Sequence, residues 1–173
     1  MSIDDPSLSK ESTFLNDLFD SYSVFECRQT EKMRNLIVRT FDPYLFSGSG
    51  LEFGCSDGHM TELLSERLEV LTVLDGSQKF LDYSKSHNKL KNNIEYVYTL
   101  FEEYKTDRKY DFIFLSYVLE HVIDPVLIIK KASKFLKENG IIFIVVPNAR
   151  ALSRQLALHM GLLSSLKELT TND

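Results

Sequence analysis

The feature that most constrains the fold is a change in the hydrophobic pattern after residue 50, where short apolar runs begin to alternate with amphipathic segments. The apolar runs occupy 51–53, 70–74, 94–97, 112–115 and 141–146, and the amphipathic segments occupy 60–67, 78–86, 125–136 and 151–160. The runs are almost continuously hydrophobic, which is typical of strands buried on both faces of a parallel sheet. The pattern therefore predicts an α/β fold, a doubly wound and mostly parallel sheet of five strands with helices on both faces.

The segment before this change predicts helices rather than strands. Between Ser12 and Leu45, apolar residues recur at steps of three and four, which indicates two helical segments. Pro43 and the Ser-Gly-Ser-Gly run at 47–50 end them. We therefore divide the chain into an N-terminal arm with helices at 1–47, an α/β core at 48–148 and a C-terminal helical tail at 149–173.

Composition narrows the class of protein. With 173 residues, 43% of them hydrophobic, the chain can bury the core of one domain. A net charge of -5 argues against a surface that grips nucleic acid, so we expect no DNA partner. Two cysteines without a Cys/His cluster predict no metal site. The sequence shows neither a secretory signal nor a membrane span, and we expect a cytoplasmic protein.

Ligands of doubly wound sheets bind beyond the carboxyl ends of the strands, and the first strand runs directly into a glycine turn. The row reads Glu52-Phe53-Gly54-Cys55-Ser56-Asp57-Gly58. Glycines at both ends let the backbone approach a ligand closely. A dinucleotide fingerprint would also need glycine at the positions of Ser56 and His59. A nicotinamide-binding module therefore stays only as an alternative.

This row resembles motif I of the class I S-adenosylmethionine-dependent methyltransferases, E/D-x-G-x-G-x-G, with Ser56 in place of the middle glycine. Asp75-Gly76-Ser77 at the end of the second strand resembles the D-x-S step of that family. The segments 110–125, with its Leu-Glu-His-Val-Ile-Asp-Pro, and 136–148, ending in Pro-Asn, are similar to later family motifs. The resemblance covers 51–148 and implies a Rossmann-like core.

The resemblance implies S-adenosylmethionine as cofactor and S-adenosylhomocysteine as product. The implied binding residues are Glu52, Gly54, Cys55, Ser56, Gly58, Asp75, Gly76, Ser77, Leu100, Phe101, Glu102, Ser116 and Tyr117. Asp75 would accept the ribose hydroxyls and could also cap the next helix, and both roles can hold at once. Leu100, Phe101 and Glu102 would hold the adenine. His121 is the catalytic candidate, as a general base or as a group that orients the substrate. The alternative is a buried histidine hydrogen-bonded to neighbouring backbone.

The acceptor would be a small molecule. Segments 147–154 and 160–163 resemble methyltransferases of sugar and O-antigen biosynthesis. A quinone-precursor or tRNA methyltransferase and a non-catalytic cofactor-binding domain are the alternatives. A full domain of this family carries an antiparallel hairpin beside the fifth strand, and we expect this chain to lack it. The exposed edge would then support a homodimer or be covered by the tail.

Overall fold

The computed structural model describes residue 13 and residues 28–166. The helices are α1 (Arg28–Phe41), α2 (His59–Ser65), α3 (Gln78–His87), α4 (Pro125–Ser133) and α5 (Leu152–His159), with a short 3-10 helix at Asp42–Tyr44. The strands are β1 (Ser49–Phe53), β2 (Val70–Asp75), β3 (Ile94–Tyr98), β4 (Tyr110–Ser116) and β5 (Leu136–Val145). They form one sheet of order β3-β2-β1-β4-β5 in which every pair is parallel. The predicted fold class is confirmed.

Both faces of the sheet are covered, which explains the continuous apolar runs. On one face, Phe112 and Phe114 pack with Val38 of α1 and Leu64 of α2. On the other face, β-strand side chains pack with residues of α4, among them Ile128. Burying each of these large side chains contributes about 1.5–3 kcal/mol. A central strand therefore has no polar face that would produce an alternating pattern.

The boundary between α4 and β5 differs from the sequence-based prediction. The helix was predicted to continue to Leu136, but it ends at Ser133, and β5 already begins at Leu136. The amides of Lys134 and Phe135 donate to carbonyls three residues earlier, which tightens and closes the last turn. Leu136 then pairs with Tyr110 ahead of an irregularity in the ladder. The strand is therefore longer than its apolar run.

The two ends of the chain agree with the prediction where the structure describes them. Helix α1 is the second of the two predicted N-terminal segments, whereas the first lies outside the described residues except for Thr13. Helix α5 confirms the predicted tail helix. Within the described part of the chain β5 pairs only with β4, and the homodimer stays a prediction. No helix there is long and apolar enough to cross a membrane.

Candidate functional site

The site lies where the strand order reverses direction. Strand β1 is flanked by β2 on one side and β4 on the other. The chain therefore leaves the carboxyl end of β1 towards β2 and the carboxyl end of β4 in the opposite direction, towards β5. Such a reversal leaves a crevice in which doubly wound sheets bind their ligands. The turn at 54–58 enters this crevice directly after β1 and leads into α2. It is tied to β2 because the amide of Gly54 donates to the Leu74 carbonyl at 2.7 Å.

The turn alternates left-handed residues. Gly54, Ser56 and Gly58 have φ angles of 77°, 45° and 79°. Glycine at two of these positions lets the chain bend sharply and lets a ligand approach the backbone closely. A Cβ atom on Gly54 would lie 3.1 Å from Val118 Cγ2, so the turn lies close against the segment after β4. Ser56, which replaces the middle glycine of the motif, adopts the left-handed conformation despite its side chain.

Asp75 holds this turn from the neighbouring strand. Its Oδ2 atom accepts the amide of Cys55 at 2.9 Å and the Cys55 thiol at 3.4 Å. Its Oδ1 atom accepts the amide of Ser77 at 2.8 Å. Burial raises the pKa of Asp75, and the amides of Cys55 and Ser77 oppose that rise. The carboxylate therefore joins the turn after β1 to the turn after β2.

The residues after Asp75 clarify the two roles left open by the sequence. The N-cap of α3 is Ser77, whose Oγ atom accepts the amide of Phe80 at 3.4 Å. Asp75 supports that cap through the Ser77 amide and does not itself cap the helix. Gly76 is buried between them. Asp75 therefore acts as a clamp between two turns and not as the cap of α3. Its contact with ribose stays a prediction.

Glu52 lies beneath the turn and is 1% exposed. Its Oε2 atom accepts the Thr61 hydroxyl at 2.7 Å, and its Oε1 atom has no hydrogen-bond partner among the described residues. Burial raises the pKa of Glu52 to about 8. The hydrogen bond from Thr61 opposes this rise, and the negative charge of Asp75 adds to it by a smaller amount. Glu52 therefore carries a proton at neutral pH.

Three predicted residues lie at the carboxyl end of β4 or shortly after it. The Ser116 hydroxyl oxygen is buried and has no partner within the described part of the chain. Tyr117 has a φ of 58°, unusual for a bulky residue, and its hydroxyl donates to Met33 Sδ of α1 at 3.6 Å. Burial, followed by the nearby Glu120, raises the pKa of Tyr117. His121 is exposed in the following turn, where its amide donates to the Val118 carbonyl at 3.0 Å.

The residues predicted to hold adenine separate into two groups. Phe101 lies at the site, with its ring 5.3 Å from the Phe53 ring and its Cζ atom 3.7 Å from a Cβ built on Gly54. Leu100 is half-buried beside it. Glu102 is exposed, and its backbone carbonyl accepts the Lys131 ammonium group. The structure thus brings Phe101 to the glycine turn and leaves the Glu102 side chain in solvent.

The structure adds residues that the sequence analysis missed. Arg34 of α1 forms an ion pair with Asp57 in the turn, and its side chain is 15% exposed. Asn88, which follows α3, donates to the Gly58 carbonyl at 3.0 Å. Neither residue belongs to a local motif, because each reaches the turn from a distant part of the chain. No cluster able to hold a metal ion occurs among the residues the structure describes.

A parallel sheet of this order, with a glycine turn after β1 and an acidic residue closing β2, is the class I methyltransferase fold. A sequence profile described as a methyltransferase domain matches residues 25–168. The chain belongs to this methyltransferase-domain family.

Curated relatives share the family. One is a ubiquinone biosynthesis O-methyltransferase of Pelagibacter ubique, 34% identical over 119 residues, which are 67% of this chain and 49% of that protein. Another of the same description, from Haemophilus ducreyi, is 25% identical and aligns over 84% of this chain and 65% of its own length. The chain thus spans about half to two thirds of these relatives.

Solved structures agree on the fold. The N-methyltransferase NodS of Bradyrhizobium japonicum, in complex with S-adenosyl-L-homocysteine, superimposes with a TM-score of 0.64 at 22% identity over 70% of this chain and 63% of its own. The complex of DhpI with SAM and HEP gives a TM-score of 0.71 at 18% identity, covering 88% of this chain and 71% of that one. Because both structures are less than 25% identical to this chain, these comparisons establish only its fold.

Proposed function

We propose that this chain binds S-adenosylmethionine across the carboxyl ends of β1, β2 and β4 and transfers its methyl group to an oxygen or nitrogen of a small-molecule acceptor. The observation that carries the proposal is the turn of three alternating left-handed residues at 54, 56 and 58, held in place by Asp75. Family membership and the cofactor complexes of two structural neighbours support it.

The residues at the site fit such a cofactor. Gly54 lies so close to Val118 that a side chain there would meet it, which suits a turn that a ligand approaches. The buried hydroxyl of Ser116 lacks a protein partner among the described residues and is available to a ligand. Arg34, held beside the turn by its ion pair with Asp57, has further N–H donors for the carboxylate of the methionine end. Phe101 offers an aromatic surface to the adenine.

The remaining binding residues keep the roles that the family resemblance implies. The turn residues Cys55, Ser56 and Gly58 contribute backbone around the methionine end, and Asp75 accepts ribose. For Tyr117 the proposal rests on the structure, because its hydroxyl donates to Met33 Sδ and its side chain closes the site towards α1. The bound cofactor supplies an electrophilic methyl group on a sulfonium. The protein orients the acceptor towards it, which contributes through proximity. For a hydroxyl acceptor, His121 takes the proton, whereas a free amine needs less help.

The relatives favour a hydroxyl acceptor related to ubiquinone precursors, because the two described above carry that description. The sugar or O-antigen acceptor suggested by the C-terminal segment receives no support from these comparisons. We therefore give the quinone-precursor acceptor first place, ahead of the sugar and the tRNA alternatives.

Calorimetric titration with S-adenosylmethionine, S-adenosylhomocysteine and NADH tests the cofactor. We expect the first two ligands to bind at micromolar concentration and NADH not to bind. Incubation with a hydroxyl-bearing ubiquinone precursor then tests transfer through formation of S-adenosylhomocysteine. Saturable cofactor binding without transfer to hydroxyl or amine acceptors would favour a non-catalytic domain, and binding of NADH alone would refute the proposal.

The contact between Asp75 and ribose needs a test that separates it from the clamp. We would compare the affinities of S-adenosylhomocysteine and its 2′-deoxy analogue in the wild type and in Asp75→Asn. Damage to the clamp weakens both ligands equally, whereas loss of a ribose contact removes the difference between them. An unchanged difference in Asp75→Asn would exclude the ribose role.

His121→Ala tests the general base. We expect a large fall in turnover with a hydroxyl acceptor and little change in cofactor affinity, because His121 lies outside the glycine turn. His159→Ala, a substitution of an exposed histidine on α5, is the matched control. Full turnover by His121→Ala would remove the assignment.

A further inference from the structure

The glycine turn is held from behind by the end of α3. The Nδ2 atom of Asn88 donates to the Gly58 carbonyl at 3.0 Å and to the Ser84 carbonyl at 3.1 Å. Asn88 is 4% exposed and lies 30 positions from Gly58 in the chain. Two carbonyl neighbours require the amide nitrogen at this position, since the amide oxygen would be repelled. Asn88 is therefore a buried bridge between the end of α3 and the end of the turn.

Ser84 packs against the same glycine. A Cβ atom on Gly58 would lie 2.5 Å from Ser84 Oγ and 2.8 Å from Ser84 Cα. Ser84 is fully buried, and its hydroxyl shares a 3.0 Å hydrogen bond with the Tyr96 hydroxyl of β3. The position of Gly58 is thus fixed both by contact with the helix backbone and by a polar network that extends to the edge strand.

The Gly58 peptide controls two parts of the site at once. Its amide donates to the Cys55 carbonyl at 2.8 Å and closes the turn. Its carbonyl accepts the amide of Glu62 at 2.9 Å and begins α2. Glycine is the most permissive residue at such a point, so an outside contact that fixes its peptide removes alternative turn conformations. Fewer conformations before binding mean a smaller entropic cost on binding.

We propose that Asn88 and Ser84 are positioning residues for the cofactor, which hold the Gly58 peptide so that the glycine turn is already in its binding conformation in the free protein. This inference rests on the proposed function. It assigns to the α3–β3 side of the sheet a part in cofactor affinity, although neither residue is proposed to touch the cofactor.

Asn88→Ala is the principal test, and the chain offers a matched control. Asn93 also donates its side-chain amide to two backbone carbonyls, those of Ser65 at 2.8 Å and Leu68 at 2.9 Å, but at the opposite end of the sheet. Both substitutions remove the same number of hydrogen bonds. We expect both to lower thermal stability, and only Asn88→Ala to weaken S-adenosylhomocysteine binding, by about five- to tenfold.

Hydrogen exchange supplies a readout that needs no ligand. The Gly58 amide should exchange severalfold faster in Asn88→Ala and at the wild-type rate in Asn93→Ala. Asn88→Asp, which keeps the size but replaces the donors with acceptors, should be at least as impaired as Asn88→Ala. Equal affinity in the wild type and Asn88→Ala, or equal losses in both alanine variants, would overturn the positioning role. Failure of the wild type to bind either adenosyl ligand would instead overturn the proposed function.

Discussion

Glu52→Gln gives the most quantitative test of the structure. Glu52 is 1% exposed on β1, and among the described residues only one of its carboxyl oxygens has a hydrogen-bond partner, the Thr61 hydroxyl. Because burial disfavours the charged form, its pKa rises to about 8. The folded protein therefore retains a proton on Glu52 at pH values where the unfolded chain has lost it. Glutamine has nearly the same shape and cannot ionise.

The direction of the pH dependence follows from proton linkage. A group whose pKa is raised on folding contributes stability that is complete below its unfolded value and is lost as the pH rises to its folded value. A rise from 4.5 to about 8 corresponds to about 5 kcal/mol, at about 1.36 kcal/mol per pH unit. The wild type should lose this amount between about pH 4.5 and about pH 8, and Glu52→Gln should lose none of it.

Urea unfolding followed by circular dichroism measures the effect. The glutamine amide lacks one hydrogen-bond partner at every pH, which gives a constant difference in the free energy of unfolding between the two proteins. Only the change of that difference with pH is therefore informative. That difference should move in favour of Glu52→Gln by about 3 kcal/mol between about pH 5.5 and about pH 9. Glu103→Gln, at an exposed position, is the control and should show no such trend. A flat difference for Glu52→Gln would refute the buried, protonated carboxyl.

Three further substitutions, one of them also combined with Ser84→Ala, test the backbone and the strand ends by the same unfolding assay. Ser56→Gly should raise the free energy of unfolding by about 0.5–1 kcal/mol, because it relieves a left-handed serine at some cost in chain entropy. Gly58→Ala should lower it by more than about 2 kcal/mol, and Ser84→Ala should not rescue it, because the clash includes the Ser84 Cα atom. For Asp111, partial burial raises the pKa, but hydrogen bonds from Lys137 and from the start of β1 outweigh it and leave the pKa lowered. Asp111→Asn should therefore cost about 1–2 kcal/mol at neutral pH, and the cost should disappear as acid protonates the wild-type carboxylate.

The sheet could be predicted from the sequence because its signal is local. Strands buried on both faces are apolar throughout, and 70–74 and 112–115 lie within β2 and β4. The start of β5 could not be predicted in this way. Leu136 becomes a strand residue by pairing with Tyr110, 26 positions earlier, and the polar residues between Leu136 and Ile141 carry no strand pattern. Pairing with β4 therefore determines where β5 begins, and local sequence propensity does not.

The candidate site, like the sheet, contains residues that local sequence signals predict and residues that they do not. Gly54, Gly58 and Asp75 were recognisable because each follows directly on a strand or a turn signal. Arg34 was not, because its contact with Asp57 depends on how α1 packs across the turn. Asn88 follows the predicted helix in a polar stretch, and only the folded chain shows that its amide reaches Gly58.

The hydrogen bonds of Asp75 determine whether its structural role is compatible with the proposed ribose contact. A carboxylate offers about four lone-pair positions for hydrogen bonds. The Cys55 amide and thiol occupy Oδ2, and the Ser77 amide takes one position on Oδ1. The Ser56 amide is also close enough to lower the pKa of Asp75, so at most one position on Oδ1 is left for a ribose hydroxyl. A second hydroxyl would have to displace the Cys55 thiol, which at 3.4 Å is the weakest of the three donors. The clamp and a single ribose contact are thus compatible, and bidentate recognition of the ribose would require the Cys55 side chain to yield.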